Sequence, residues 1–172
     1  PGKVWSEAGD NGMSRASFPF VLVNAWSNNT HNGLATFLYD DVDISALRFQ
    51  IIQETSADKP YQIDMWGQSP VTYEPAPIKN REVLIAQFIE EIAQQVPIHP
   101  WTELEQTYDP QVLSRFTDSY APEDISIAGL VLDGTIYLKP PMTRYGEYPY
   151  PHYMRHGVYS VTKSMGAAIA ML

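Results

Sequence analysis

Short apolar runs separated by turn-forming residues occupy positions 17–74 of the chain, after a lead-in at 1–16 that is expected to be irregular. The runs alternate partly between apolar and polar residues, which is typical of strands with one buried face. Asn, Asp, Gly and Pro lie between the runs and favour turns. The pattern predicts a small antiparallel β-module over residues 17–74. Its expected strands are 18–23, 34–39, 47–53 and 59–66.

The spacing of apolar residues changes to three and four between Asn80 and Val96, which predicts an amphipathic helix. Asn80 can cap this helix, and Glu82 adds negative charge to its first turn. Pro97 ends it. We expect the apolar stripe to pack into the core. The stripe consists of Ile85, Phe88, Ile89, Ile92 and Val96.

Two apolar runs, 125–132 and 135–138, meet at Asp133-Gly134, which is a strong signal for a β-hairpin. Residues 139–156 are rich in Pro and Tyr and predict irregular structure. A helix of small and apolar residues follows from Ser160. A shorter helix is expected from Pro110 to Phe116. These patterns together predict an α+β fold.

Composition narrows the possible functions. The 172 residues carry a net charge of −9, and no basic stripe is visible, so we expect no nucleic-acid partner. No run approaches the ~18 apolar residues of a membrane span. The chain has no Cys, which excludes disulfides and thiolate chemistry. The compartment stays open, with a periplasmic or secreted location favoured.

The stretch GVYSVTKSM carries the candidate chemistry. Positions three apart share a helix face, so Ser160 and Lys163 are expected to meet at the start of the last helix. A serine hydroxyl needs a base, and a lysine amine serves as one when its pKa is lowered. The helix N-terminus can stabilise an oxyanion. The competing interpretation is that Ser160 only caps the helix and Lys163 is solvated.

The order of a hairpin AGLVLDGTIY, an irregular crossing and YSVTKS resembles the serine β-lactamase and penicillin-binding-protein superfamily over residues 124–172. The most similar branch contains class C β-lactamases and β-lactamase-like carboxylesterases. The resemblance implies that Ser160 is acylated, that Lys163 is its general base, and that the Ser160 N–H forms half of an oxyanion hole. It implies no cofactor.

The substrate implied by this resemblance is a small ester, amide or β-lactam. Ester hydrolysis is expected first, and β-lactam or D-amino-acid peptide hydrolysis next. The predicted organisation is a β-rich module at 1–76, a linking helix and loop at 77–123, and the opening part of a β-lactamase-like α/β domain at 124–172.

The chain departs from the family pattern in one respect. In the family, a Tyr-x-Asn element and a Lys-Thr-Gly or His-x-Gly element follow the serine helix, and the given sequence has neither of them there. Two upstream stretches have residue patterns like those of these elements: Ser27-Asn28-Asn29 and His31-Asn32-Gly33. They lie next to each other along the chain, and we interpret the similarity as coincidence. The sequence stops inside the predicted helix. We therefore expect a longer hydrolase whose C-terminal remainder is needed for activity and has either been cut away or forms a second polypeptide.

Three other groups of residues have alternative interpretations. Tyrosines and arginines near the serine form either a substrate-shaping wall or a packed surface loop; the substrate-binding candidates are Tyr150, Tyr153 and Tyr159. His152 and His156 have a spacing seen in zinc sites, but the prolines around them disfavour a helix, and no metal is expected. The acidic residues at 40, 41 and 43 are expected to form a solvated turn. The alternative to a hydrolase is a protein without catalytic activity: a binding or assembly module that keeps the Ser-x-x-Lys helix only as a scaffold.

Overall fold

The computed structural model describes residues 2–56, 63–121 and 124–171, which form helices and mainly antiparallel sheets, and so confirms the α+β class. Contacts between residues divide the chain into two compact units. Unit 1 is Pro1–Tyr73, Thr143–Tyr145 and Pro149–Leu172, and unit 2 is Glu74–Met142 and Gly146–Tyr148. The domain boundaries expected at 76 and 123 stay a prediction.

Unit 1 is built on a five-stranded antiparallel sheet whose strand order follows the chain. This confirms the β-module predicted from the alternating runs. The lead-in at 1–16 was wrongly expected to be irregular, because a first strand at Lys3–Trp5 pairs with the strand that begins at Ser14. Residues 57–62 of the predicted 59–66 strand region lie outside the described residues, and the fifth strand begins only at Trp66. The strands are β1 (Lys3–Trp5), β2 (Ser14–Val23), β3 (Thr30–Tyr39), β4 (Leu47–Thr55) and β5 (Trp66–Ser69).

The pairing of β3 with β4 shifts by one residue at Gly33. Asn32 pairs with Gln53, whereas Gly33 pairs with Ile51, so Ile52 is the extra residue of a β-bulge. Both Ile51 and Ile52 are buried as a result. Glycine suits position 33 because a Cβ atom there would lie 2.8 Å from the backbone carbonyl oxygen of Gln50, which a side-chain movement cannot relieve. The bulge therefore changes which side chains of β4 are buried beside Asn32.

Unit 2 contains a three-stranded sheet, with one helix before its first strand and two helices between its first and second strands in sequence. The predicted hairpin is confirmed: Asp133 (φ 49°) and Gly134 (φ 75°) are both left-handed, as a two-residue hairpin turn requires. The elements are α1 (Arg81–Gln94), β6 (Ile98–Pro100), α2 (Trp101–Thr107), α3 (Pro110–Ser114), β7 (Gly129–Leu132) and β8 (Thr135–Leu138).

The core of unit 2 lies between α2, α3 and the hairpin. Trp101, Leu104 and Leu113 are buried and pack against side chains of the hairpin. β6 pairs in parallel with β8, which brings the start of α2 against the sheet. The hairpin side chains in this core are Leu130, Leu132 and Tyr137.

α1 confirms the predicted helix but not its packing. Its stripe residues are 38% to 62% exposed, so the expectation that they enter the core is wrong. The periodicity predicted the helix correctly, but no described segment covers the apolar face of that helix. Asn80 precedes the helix in the left-handed region (φ 58°) and makes no side-chain capping bond, so its predicted role as a cap is wrong as well.

The last part of unit 1 holds the serine motif. A 3-10 turn at Pro151–Tyr153 is followed by residues without regular secondary structure and then by α4 (Val161–Ala170), which confirms the predicted final helix. Two short strands, β9 (Met142–Thr143) and β10 (Gly146–Glu147), pair with each other in the region predicted as irregular. In the described part of the chain, no helix combines the length and apolar character needed to cross a membrane.

Candidate functional site

Ser160 is the residue that immediately precedes α4. Its side chain is exposed and makes no capping hydrogen bond. The next three N–H groups, those of Val161, Thr162 and Lys163, donate to the carbonyl groups three residues earlier at 2.9, 3.1 and 3.0 Å. The N–H of Ser160 itself donates to no described residue. An exposed hydroxyl and an available amide therefore belong to the same residue at the positive end of a ten-residue helix.

Lys163 lies in the first turn of α4, one turn after Ser160, as the spacing predicted. Its side chain is exposed. Within the described residues it forms no ion pair and no side-chain hydrogen bond, with Ser160 or with any other residue. The two side chains share a helix face but are not joined.

Tyr159 connects this helix start to the sheet. Its backbone is left-handed, with φ at 40°, which is uncommon for a residue other than glycine. The hydroxyl donates to Oδ1 of Asn29 at 2.7 Å and also lies 3.2 Å from the carbonyl oxygen of Thr55. Asn29 immediately precedes β3 and Thr55 ends β4. The side chain before Ser160 is thus fixed to one edge of the sheet.

A run of buried polar side chains lies at this edge. We name it the polar cluster, and its members are Asn29, Thr30, His31, Asn32 and Gln53. Each is less than 10% exposed, although strands usually bury apolar side chains. Buried polar groups are costly unless they are hydrogen-bonded, so these residues must have partners in the fold.

Asn32 supplies the central contacts of the polar cluster. It is fully buried; its Oδ1 accepts from the N–H of Arg155 at 2.8 Å, and its Nδ2 donates to the carbonyl of Arg155 at 2.7 Å. The same Nδ2 also donates to Gln53. Thr30 Oγ1 donates to the Arg155 carbonyl at 3.3 Å. The cluster therefore binds the backbone of the segment that leads to Ser160.

His156 lies in the same segment. Its Nδ1 is 3.3 Å from Oγ1 of Thr55, and its Nε2 is buried with no hydrogen-bond partner among the described residues. Burial lowers the pKa of this imidazole below its ordinary value. Nδ1 of His31 is likewise buried without a partner in the described part of the chain. These two rings leave part of their hydrogen-bonding capacity unused.

The polar cluster was not predicted as part of the site. Asn29 and Asn32 belong to the two stretches whose similarity to the family elements was interpreted as coincidence. The structure brings both residues against residues 155–159. They lie on one strand and its lead-in, and they contact the chain before Ser160 rather than Ser160 itself. A signal did exist in the sequence, because four successive polar residues from Asn29 to Asn32 interrupt the apolar–polar alternation of the module.

The three tyrosines predicted to contact substrate occupy different environments. Tyr150 is buried, and its hydroxyl donates to the Ser17 carbonyl at 2.8 Å. Tyr153 is half-buried in the 3-10 turn. Tyr159 is half-buried, with its hydroxyl directed to the sheet. Of these hydroxyl groups, those of Tyr150 and Tyr159 are engaged within unit 1.

The structure also describes the histidine pair and the acidic residues that the sequence singled out. His152 is exposed in the 3-10 turn and His156 follows it in irregular chain, so the two do not share a helix. The Asp40 carboxylate accepts from the N–H groups of Asp43 and Val42, and these bonds lower its pKa. Among the described residues, no three His, Asp or Glu side chains are grouped so as to hold a metal ion.

Comparison with known proteins adds no assignment. No protein-family model matches the chain, and neither the curated proteins nor the solved structures include a match. The resemblance to the serine β-lactamase superfamily therefore stays a prediction that depends on the motif residues themselves.

Proposed function

We propose that this chain carries the nucleophile of a serine hydrolase that acts through an acyl-enzyme. Ser160 is the nucleophile and Lys163 its general base. The observation that carries the proposal is the combination at Ser160 of an exposed hydroxyl and an N–H that donates to no described residue, at the start of α4. An acyl carbonyl that approaches the hydroxyl finds a free donor on the same residue, directed along the helix dipole.

The reaction begins when Ser160 Oγ attacks the acyl carbonyl and its proton passes to the Lys163 amine. The oxyanion accepts a hydrogen bond from the Ser160 N–H, and the leaving group departs with a proton from the lysine. Water then hydrolyses the serine ester. A lysine must be removed from water to act as a base. Lys163 is exposed, so the proposal requires the acyl donor or a second polypeptide to cover it.

We place simple esters first among the substrates, followed by β-lactams and D-amino-acid peptides. The finer fold proposal is that the β7–β8 hairpin and α4 belong to a β-lactamase-like domain. Its support is the order of the Asp-Gly hairpin and the Ser-x-x-Lys helix along the chain. Turnover of an activated ester and of a chromogenic cephalosporin would separate the substrate classes.

Covalent labelling with a fluorophosphonate ester tests the nucleophile. We expect one adduct on the 19.4 kDa chain, mapped by peptide mass spectrometry to Ser160. Ser160→Ala should abolish the adduct without loss of fold, because the Ser160 side chain makes no capping bond. Ser164→Ala is the matched control, since Ser164 is exposed on the same helix and should leave labelling unchanged. Labelling that persists in Ser160→Ala contradicts the assignment.

The base is tested by the rate of labelling. We expect Lys163→Ala to slow the reaction by about 100-fold or more, as loss of a general base does. Lys79→Ala, at another exposed lysine, is the control and should react at the wild-type rate. A decrease of only a few-fold in Lys163→Ala would remove Lys163 from the role of base.

Exposed apolar residues favour a second candidate, the non-catalytic assembly module. Val161, Met165 and Ile169 repeat every four residues on α4 and are 60%, 54% and 72% exposed. Exposed apolar stripes of this kind mark interaction surfaces. This candidate predicts that the probe labels no serine even when the expected second polypeptide is present, so labelling under that condition separates the two functions.

A further inference from the structure

Tyr159 has a backbone conformation that its residue type disfavours. In the left-handed region the Cβ atom of a bulky residue crowds the backbone, and such residues need compensating contacts to stay there. The conformation occurs directly before Ser160, where the chain changes from residues without regular secondary structure to α4. The turn at Tyr159 therefore sets the direction in which the Ser160 hydroxyl and N–H leave the backbone.

The compensating contacts come from the phenolic end of the same side chain. Its single hydroxyl proton is directed mainly to Asn29, since 2.7 Å is shorter than the 3.2 Å to the Thr55 carbonyl. Asn29 is 4% exposed, so its side chain has little other access to water. The ring thus spans from the strained turn to the ends of β3 and β4.

The ring also packs against a glycine. A Cβ atom on Gly157 would lie 2.9 Å from Cε2 of Tyr159 and 3.3 Å from the carbonyl oxygen of Asn28. A larger residue at 157 would therefore displace the ring from its place between the segment and the strand lead-in. Two residues earlier, Asn32 binds both backbone groups of Arg155. The segment 155–159 is held to the sheet at both of its ends.

We propose that Tyr159 is a positioning residue for Ser160 and that its hydroxyl bond to Asn29 maintains the left-handed turn that presents the serine. The proposal rests on the proposed serine-hydrolase function. It assigns the Tyr159 hydroxyl to the protein rather than to substrate. We call the hydrogen bond between the Tyr159 hydroxyl and Asn29 the clamp. It acts on the helix through the Tyr159 carbonyl, which accepts from the Thr162 N–H at 3.1 Å in the first turn of α4.

Amide hydrogen exchange tests the clamp without any need for activity. Tyr159→Phe removes the hydroxyl and keeps the ring, and we expect roughly threefold to tenfold faster exchange at Thr162, since one buried neutral hydrogen bond is lost. Asn29→Ala should have a similar effect, and the double variant should not exceed the larger single effect, because both remove the same bond. Tyr120→Phe, at an exposed tyrosine of unit 2, is the control and should leave Thr162 unchanged.

The same variants are then compared in the fluorophosphonate reaction. We expect Tyr159→Phe to react at Ser160 roughly threefold to tenfold more slowly, with ester kcat lowered and KM unchanged, because misplacement of the nucleophile affects the chemical step rather than binding. Unchanged Thr162 exchange in Tyr159→Phe, or additive effects of the two substitutions, would overturn the clamp. Altered KM with unchanged kcat would overturn the positioning role. Failure of the wild-type chain to label in the presence of the expected second polypeptide would instead refute the hydrolase function, with the exchange data still deciding the clamp.

Discussion

Replacement of Asn32 is the strongest test of the way in which the sheet holds the serine segment. Asn32→Ala removes a fully buried amide that binds the N–H and the carbonyl of Arg155 and also binds Gln53. All three partners stay in the fold after the substitution. A buried group that loses its partner costs about 1–3 kcal/mol. The Arg155 side chain is exposed, so water can reach part of this backbone, and the lower end of that range applies to each bond.

We therefore expect Asn32→Ala to lower the free energy of unfolding by about 3 kcal/mol, against about 5–15 kcal/mol for a typical domain. For a chain of this length the corresponding fall in Tm is about 6–12 °C. Urea unfolding followed by tryptophan fluorescence reports on unit 1, which holds three of the four tryptophans: Trp5, Trp26 and Trp66. The midpoint should decrease while the slope of the transition is unchanged.

Two further variants separate the hydrogen bonds from the cavity. Asn32→Asp keeps the volume and one acceptor but places an oxygen where Nδ2 faced two acceptors, so it should destabilise at least as much as alanine at neutral pH. Gln68→Ala, at an exposed amide of β5, should change stability by less than about 0.5 kcal/mol. If Asn32→Ala costs no more than Gln68→Ala, the Asn32 contacts do not hold the segment and the argument fails.

Two other predictions concern pH and packing. Burial keeps the pKa of His156 below its ordinary value of 6.5, so as pH falls through that value the unfolded chain takes up a proton that the native imidazole resists, and stability decreases. His156→Asn should reduce this loss of unfolding free energy between about pH 7.5 and 5.5. His152→Asn, at an exposed histidine, should not reduce it. Equal dependence of stability on pH in the two variants would contradict the role of burial. In unit 2, Leu104→Ala should cost about 2–5 kcal/mol because the side chain is 1% exposed, and Phe88→Ala on α1 less than about 1 kcal/mol because Phe88 is 44% exposed. Urea unfolding of both variants decides this, and a Phe88→Ala cost equal to that of Leu104→Ala would mean that the α1 stripe is covered in solution.

Local signals in the sequence were sufficient for most elements of secondary structure. The Asp133-Gly134 pair predicted its hairpin because a two-residue turn depends only on the residues in it and on the flanking strands. The helix from Ser160 and the helix after Asn80 followed from apolar spacing for the same reason. The capping role of Asn80 failed because the chain enters α1 through a left-handed residue, a conformation that residue preference does not specify.

What the sequence determined by itself was therefore the set of elements and the placement of Ser160 and Lys163 on one turn of a helix, since both depend on neighbours a few residues apart. Only the tertiary structure decided which faces are buried. It left the α1 stripe exposed, and it buried Asn29 and Asn32 against residues 123 to 130 positions away. The physical reason is that such contacts depend on strand register and on the bulge at Gly33, which arise from the packing of distant segments and have no counterpart in local periodicity.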